Sequence, residues 1–486
     1  MAQSIKKNTI LSIIKTCSTI LYPLITFPYV NRVLLPVNVG KVNFAQNHVN
    51  YFLLIAMLGV TTYAIRECSA VRDDKEKLSD TASQIMSINI FFTFLAYFLL
   101  LLSVLCFRKF DSYRLLILIE SFTIIFTVLG ADWLNSAMED YKYITLRTII
   151  AQFLAIIAMF VFVKNENDYV KYAIICVGSA SLANISNILY RRKYCNTRFT
   201  LKIDWKRHFP PILFLFGMML AQTVLSNTDV TMLGLMKNDY EVGLYSTAHK
   251  VTRLIGSVVQ ALALVIIPRL YFYFENNDFN SANVLLRKVL MFNISLGLPC
   301  FVGVEMMAED IVFVVGGEEF AAATPVIRLL IISFLFSLVG GSFLGNAVLI
   351  PMKKEKYYMI VCIITAVCNI AVNALLIPRY GAVGAAIATA LNGFIIYVLL
   401  LLKVDKRIKI KDVKGVFLGP VIGCIGIALA CFICSKIEYR IVRIITSVSL
   451  SIIVYALVLF VLKNEFLSEI LKVVQAKTKR KGKSND

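Results

Sequence analysis

PLITFPYVNRVLLPVNVGKVNFAQNHVNYFLLIAMLGVTTYAIR, residues 23–66, decides how the chain is read. It predicts the end of one membrane helix, a tight turn carrying Pro36 and Gly40, and a complete second helix. Pro23 and Pro28 remove backbone donors inside an apolar segment, so neighbouring helices or a water-lined cavity must satisfy the freed carbonyls. Asn43, Gln46, Asn47 and Asn50 then stand in the second helix where lipid-facing positions would be apolar. Two readings stay open for them, hydrogen bonds between helices or the lining of a hydrated cavity.

Apolar runs of the same kind recur outward from this stretch. Of the 486 residues 58% are hydrophobic and 16% charged, and the mean hydropathy is +0.75. Fourteen spans fit, at residues 8–30, 42–66, 81–107, 114–137, 143–164, 168–191, 209–236, 240–272, 284–306, 322–350, 355–377, 382–403, 413–435 and 440–462. The expected fold is therefore an all-α polytopic membrane protein. Its net charge of +20 would suggest nucleic acid in a soluble chain. Here the bases cluster in short loops, which points to membrane topology and anionic lipid and against a nucleic-acid partner. An even number of spans places both termini on one side. That side is read as cytoplasmic, because Lys6-Lys7, the runs 66–77, 191–207 and 403–414, and the tail from Lys477 all fall there. Residues 307–321 carry Glu309, Asp310, Glu318 and Glu319 without a base, and are expected to face outward. No small-residue cleavage site precedes the first span, so the N-terminus reads as retained. Cys431 and Cys434 form a Cys-x-x-Cys inside an apolar run with no histidine nearby, which gives no reason to expect a metal or a cofactor.

Internal repetition sharpens the architecture. Val39-Gly40 with Ala45-Gln46 is echoed by Val242-Gly243 with Ala248-His249, and again by Val383-Gly384 with Ala388-Thr389. Each echo opens an even-numbered span at its outward end. The chain thus reads as two six-helix lobes in parallel repeat, residues 1–208 and 209–405, with two extra spans and a basic tail in 406–486.

Ionisable groups inside spans are costly and ordinarily face a bundle interior or a cavity. Lys15, Thr19, Tyr22 and Thr26 share one face, as do Glu120, Thr123 and Thr127; Gln222, Ser226 and Asp229; His249, Arg253 and Gln260; and Thr365, Asn369 and Asn373. Lys15 and Arg253 lie well inside their spans and read as cavity-facing cations. Lys15, Arg32, Asn47, Arg147, His249, Lys250, Arg253, Asn369 and Asn373 are the candidate substrate contacts. Glu120, Asp132 and Asp229 are candidates for ion coupling or structural pairing, with Arg147 the expected partner of Asp132. Trp133 is expected in the interfacial belt. Enzyme signatures are absent: there is no phosphate loop, no zinc-type histidine pair, and the three histidines are far apart in sequence.

Residues 23–34, Ala64-Ile-Arg-Glu with Arg72-Asp-Asp-Lys-Glu-Lys-Leu, and Asp132-Trp133 resemble the amino-terminal half of Wzx-type polysaccharide flippases. Met232-Leu-Gly, Val242-Gly-Leu-Tyr-Ser-Thr-Ala-His-Lys, Pro268-Arg269-Leu, Gly317-Glu-Glu-Phe, Leu349-Ile-Pro and Ile377-Pro-Arg-Tyr-Gly-Ala-Val-Gly-Ala-Ala resemble the other half. The resemblance implies membership of the multidrug/oligosaccharidyl-lipid/polysaccharide exporter superfamily. It also implies alternating access of a central cavity, and a substrate of undecaprenyl-pyrophosphate-linked oligosaccharide for O-antigen or capsule. A bacterial cytoplasmic-membrane location and working partners such as a polymerase and a chain-length regulator go with it. Two departures from the family stand out: Leu35 replaces a usual glycine, and Asn392-Gly393 replaces an acidic residue. The alternatives are an ion-coupled antiporter of organic cations, for which a carboxylate-rich cavity is expected, or a membrane polymerase or acyltransferase, for which a large outward loop is expected.

Overall fold

The computed structural model describes residues 5–264 and 266–469, and among them every regular element is helical. The expected basic tail from Lys477 lies outside the described residues, as do the side chains of Lys6, Lys7 and Gln260. The helices are α1 (Ile5–Met57), α2 (Val60–Ala70), α3 (Lys75–Cys106), α4 (Arg114–Gly130), α5 (Asp132–Ala137), α6 (Tyr141–Phe162), α7 (Tyr169–Tyr190) and α8 (Trp205–Met236). There follow α9 (Asp239–Leu264), α10 (Ile267–Glu275), α11 (Phe279–Gly316), α12 (Thr324–Ser337), α13 (Glu355–Leu401), α14 (Val413–Cys434) and α15 (Arg440–Val461). A π-helical stretch, Leu338–Leu349, continues α12.

Among the described residues, ten helical segments are long and apolar enough to cross a membrane. Two of them hold two passes each, because α1 breaks at Leu35 and α13 at Gly381. α9 and α11, with 26 and 38 residues, stand where the other two of the fourteen spans are expected, and neither is among the ten. Contacts sort the loops into two ends, as alternation requires. At one end Tyr29 and Asn38 bond the carbonyls of Val163 and Glu166, and the Tyr113 hydroxyl donates to Asp239 at 2.5 Å. At the other, Arg72 pairs with Glu139 and Arg207 with Glu67.

Broken helices leave carbonyls without amide partners, and asparagines on α3 and α7 fill them. The second span breaks at Leu58-Gly59, both at positive φ, and the buried Asn89 donates to the carbonyls of Ala56 and Met57. α4 ends at Ala131, also at positive φ, where Asn187 donates to the Gly130 carbonyl at 2.5 Å and Arg191 to that of Leu129 at 2.7 Å. Trp133, just beyond, is 2% exposed and packs in the core with Tyr63, Leu134 and Ile85. It is not a belt residue; the break at Ala131 turns it inward.

The chain divides into two compact units after Ser246. That differs from the expected boundary at His208. α8 stays with the first unit because Asn47 reaches the Asn227 carbonyl and Thr231, and Phe44 fills the space beside Gly234. Within this unit two of the sequence echoes meet. A methyl group on Gly40 would overlap the Asp239 carbonyl, and one on Gly243 would overlap that of Pro36. The repeat is therefore a reciprocal crossing in which each backbone rests on the other's glycine. Residues 194–204 lie along α3. Ser79, Ser83 and Ser87 each donate to the carbonyl four residues back and accept the amides of Asn196, Arg198 and Thr200 at 3.3, 3.0 and 2.9 Å.

In the second unit α14 and α15 pack on α11. Tyr455 donates to the Ser295 carbonyl at 2.7 Å, Arg443 pairs with Asp310 at one end of α11, and Arg287 pairs with Asp412 and Glu465 at the other.

Candidate substrate-binding site

α9 carries His249, Thr252, Arg253 and Ser257 along one side, a helical spacing. That side lines a cavity of about 320 Å³ within the second unit, closed by Ser333 and Ser337 of α12 and Thr389 of α13. Arg253 is exposed into it, and among the described residues no carboxylate pairs with its guanidinium. Four hydroxyls are already committed as donors: Thr252 to the His249 carbonyl, Ser257 to Leu254, Ser333 to Thr389 and Thr389 to Ala385. A hydroxyl that donates to backbone keeps its lone pairs, so this wall accepts hydrogen bonds while Arg253 donates them. No described lining residue is acidic. Chemically the cavity suits an anion that carries hydroxyl donors.

The sequence brought His249 and Arg253 here and missed the hydroxyls. Ser333 and Ser337, one turn apart inside an apolar span, were the available signal. Lys250, next to His249, is half-buried and engaged with other groups.

The remaining candidates sit in other surroundings. Arg147 is buried, pairs with Asp132 as expected and donates to the Ala183 carbonyl, with Tyr143 under its guanidinium at 5.5 Å. Both are thereby fixed as a joint between α5, α6 and α7. Asn47 is used by α8 as described. Asn373 donates to Asn369 at 3.0 Å, and both side chains are buried within α13's own unit. Asp229 is buried and accepts from the Tyr245 hydroxyl at 2.5 Å. Glu120 is buried on α4. Arg32 is exposed beside the Leu35 turn and has partners of its own. Lys15 is half-buried on the first half of α1, in the first unit. Among the described residues no three or more His, Cys, Asp or Glu gather to hold a metal ion.

These features define a many-pass helical membrane protein with a cationic, hydroxyl-lined cavity in its second unit. The chain belongs to the family of polysaccharide biosynthesis proteins, which matches residues 5–273; the MatE family matches residues 215–375. It is 28% identical over 168 residues to the probable low-salt glycan biosynthesis flippase Agl15 of Haloferax volcanii, a stretch that spans 34% of each chain. It is 22% identical over 411 residues to a putative O-antigen transporter of Shigella dysenteriae, covering 82% of this chain and 100% of that one. The solved structure of the lipid II flippase MurJ in an inward closed conformation superposes with a TM-score of 0.76 at 18% identity, covering 94% of this chain and 100% of the other. The chain has that fold.

Proposed function

We propose that the protein is a transporter, a flippase that carries lipid-linked oligosaccharide repeat units across the bacterial cytoplasmic membrane by alternating access, with both termini cytoplasmic. The observation that carries this reading is the cavity around Arg253. A pyrophosphate linkage is an anion and the glycan is a set of hydroxyl donors, and the cavity offers a guanidinium beside committed hydroxyl donors. The names of the relatives, a probable glycan biosynthesis flippase and a putative O-antigen transporter, support this reading. An antiporter of organic cations would need carboxylates in that wall, and the described lining has none. A polymerase and a chain-length regulator would act on the delivered unit.

Arg253→Ala is expected to remain folded and inserted while surface polysaccharide falls at least tenfold. Arg253→Lys should recover only part, since charge returns without the planar fork. Normal polysaccharide from well-inserted Arg253→Ala would remove the cavity from transport. For the orientation, a single cysteine at Glu319 in a cysteine-free background should react with an impermeant maleimide on intact cells. Labelling only after lysis would invert the topology.

A further inference from the structure

A second cavity, of about 660 Å³, opens at the acidic end of α11 and shares no lining residue with the one around Arg253. That volume lies within the ~300–1,000 Å³ range of small-molecule sites. Its walls hold two ion pairs. Arg328 Nη2 lies 3.4 Å from Glu309 Oε1, and Arg440 Nη1 lies 3.2 Å from Glu318 Oε1. The Arg440 guanidinium is stacked on the Phe313 ring at 4.3 Å, which fixes its plane.

Three ligand classes can be weighed against these walls. A phosphate would meet the carboxylates first, because the Glu309 and Glu318 side chains are 76% and 70% exposed against 46% and 39% for Arg328 and Arg440. A bare cation would compete with a guanidinium already seated on each carboxylate. A polyol fits both pairs: one hydroxyl accepts from the guanidinium while its neighbour donates to the carboxylate, and exposed ion pairs are held weakly enough to open for it. We propose that this pocket binds a neutral sugar residue through paired hydroxyls.

The assignment also gives the last span a role. Arg440 is the first residue of α15, and Arg443, one turn on, is fastened to the buried Asp310 of α11. Without the fourteenth span the pocket loses one of its two pairs. The site stands apart from the transport reading, since sugar binding here needs neither turnover nor a lipid-linked cargo.

The test is saturation-transfer NMR on the full chain in phosphatidylcholine nanodiscs, with lactose and chitobiose as neutral probes. Saturable transfer to at least one disaccharide is expected. It should fall at least tenfold in Glu309→Gln/Arg328→Gln and persist in Glu319→Gln, whose side chain is exposed outside the pocket. If the double variant fails to fold, Arg440→Lys takes its place and should lower binding several-fold. No saturable transfer to wild type, or transfer that survives the pocket variants but disappears in Arg253→Ala, would overturn the proposal. So would transfer abolished by exchanging phosphatidylcholine for phosphatidylethanolamine, which would reassign the pocket to a lipid headgroup.

Discussion

The turns at Leu35 and Gly381 are the same device with different residues. Each breaks a long helix into two passes at a single residue of positive φ, 62° with ψ 166° at Leu35 and 55° with ψ −130° at Gly381. Each is followed within five residues by a Val-Gly pair. Glycine reaches both conformations freely; a side chain does so at a cost of about 1–3 kcal/mol. Leu35 therefore stands in strained backbone. Three contacts hold it: Pro36 rests on Gly243, Asn38 on the Glu166 carbonyl at 2.8 Å, and Gly40 on Asp239. Where three neighbours dictate the path of a turn, the residue at its apex can be the wrong one and still be kept.

The largest effect is expected at the neighbours of the Leu35 turn. Gly40→Val places branched carbon against the Asp239 carbonyl and should cost about 3 kcal/mol or more, read as a loss of folded protein on size exclusion in detergent. An unchanged melting temperature would mean that the crossing does not hold the Leu35 turn. Gly381→Ala should cost about 1–3 kcal/mol, because an alanine there inherits the strain that Leu35 already bears. Leu35→Gly should instead stabilise by about 1 kcal/mol, the relieved strain less the added chain entropy of glycine. The two substitutions should shift the melting temperature in opposite directions; shifts of the same sign would show that the two turns are not strained alike.

The smallest effect concerns the loop that braces the first turn. Asp168, at the foot of α7, accepts the amides of Lys164 and Asn165 at 2.9 and 3.0 Å and pairs with the Lys171 ammonium at 2.7 Å. Amide exchange in residues 163–168 should accordingly accelerate several-fold in Asp168→Asn, which keeps the shape and weakens each acceptor. Exchange unchanged in the variant would show that the carboxylate does not brace the turn.

Most of the fold was legible because spans declare themselves by hydropathy and loops by charge. The Asp132–Arg147 pair was legible for the same reason, being two opposite charges near one end of neighbouring spans. Breaks inside spans were not. Leu58-Gly59 and Ala131 interrupt apolar helices without a proline, and only the placement of Asn89 and Asn187 makes them affordable. In the cavity the charges announced themselves, whereas Ser333, Ser337 and Thr389 did not, because single hydroxyls are common in membrane helices and acquire meaning only when three helices converge.

The serine ladder on α3 has a consequence for how this chain can change over generations. A helix turn of four residues advances ~6 Å and two extended residues advance ~6.6 Å, so rungs and amides fall nearly in step, like the two scales of a vernier. What the serines read is backbone alone, so the exposed side chains of Asn196 and Arg198 are free to drift, whereas the Thr200 hydroxyl also accepts the Lys202 amide at 3.1 Å. The length is not free. Inserting one residue between Asn196 and Thr200 moves every later amide off its hydroxyl, which makes this segment tolerant of substitution and intolerant of insertion.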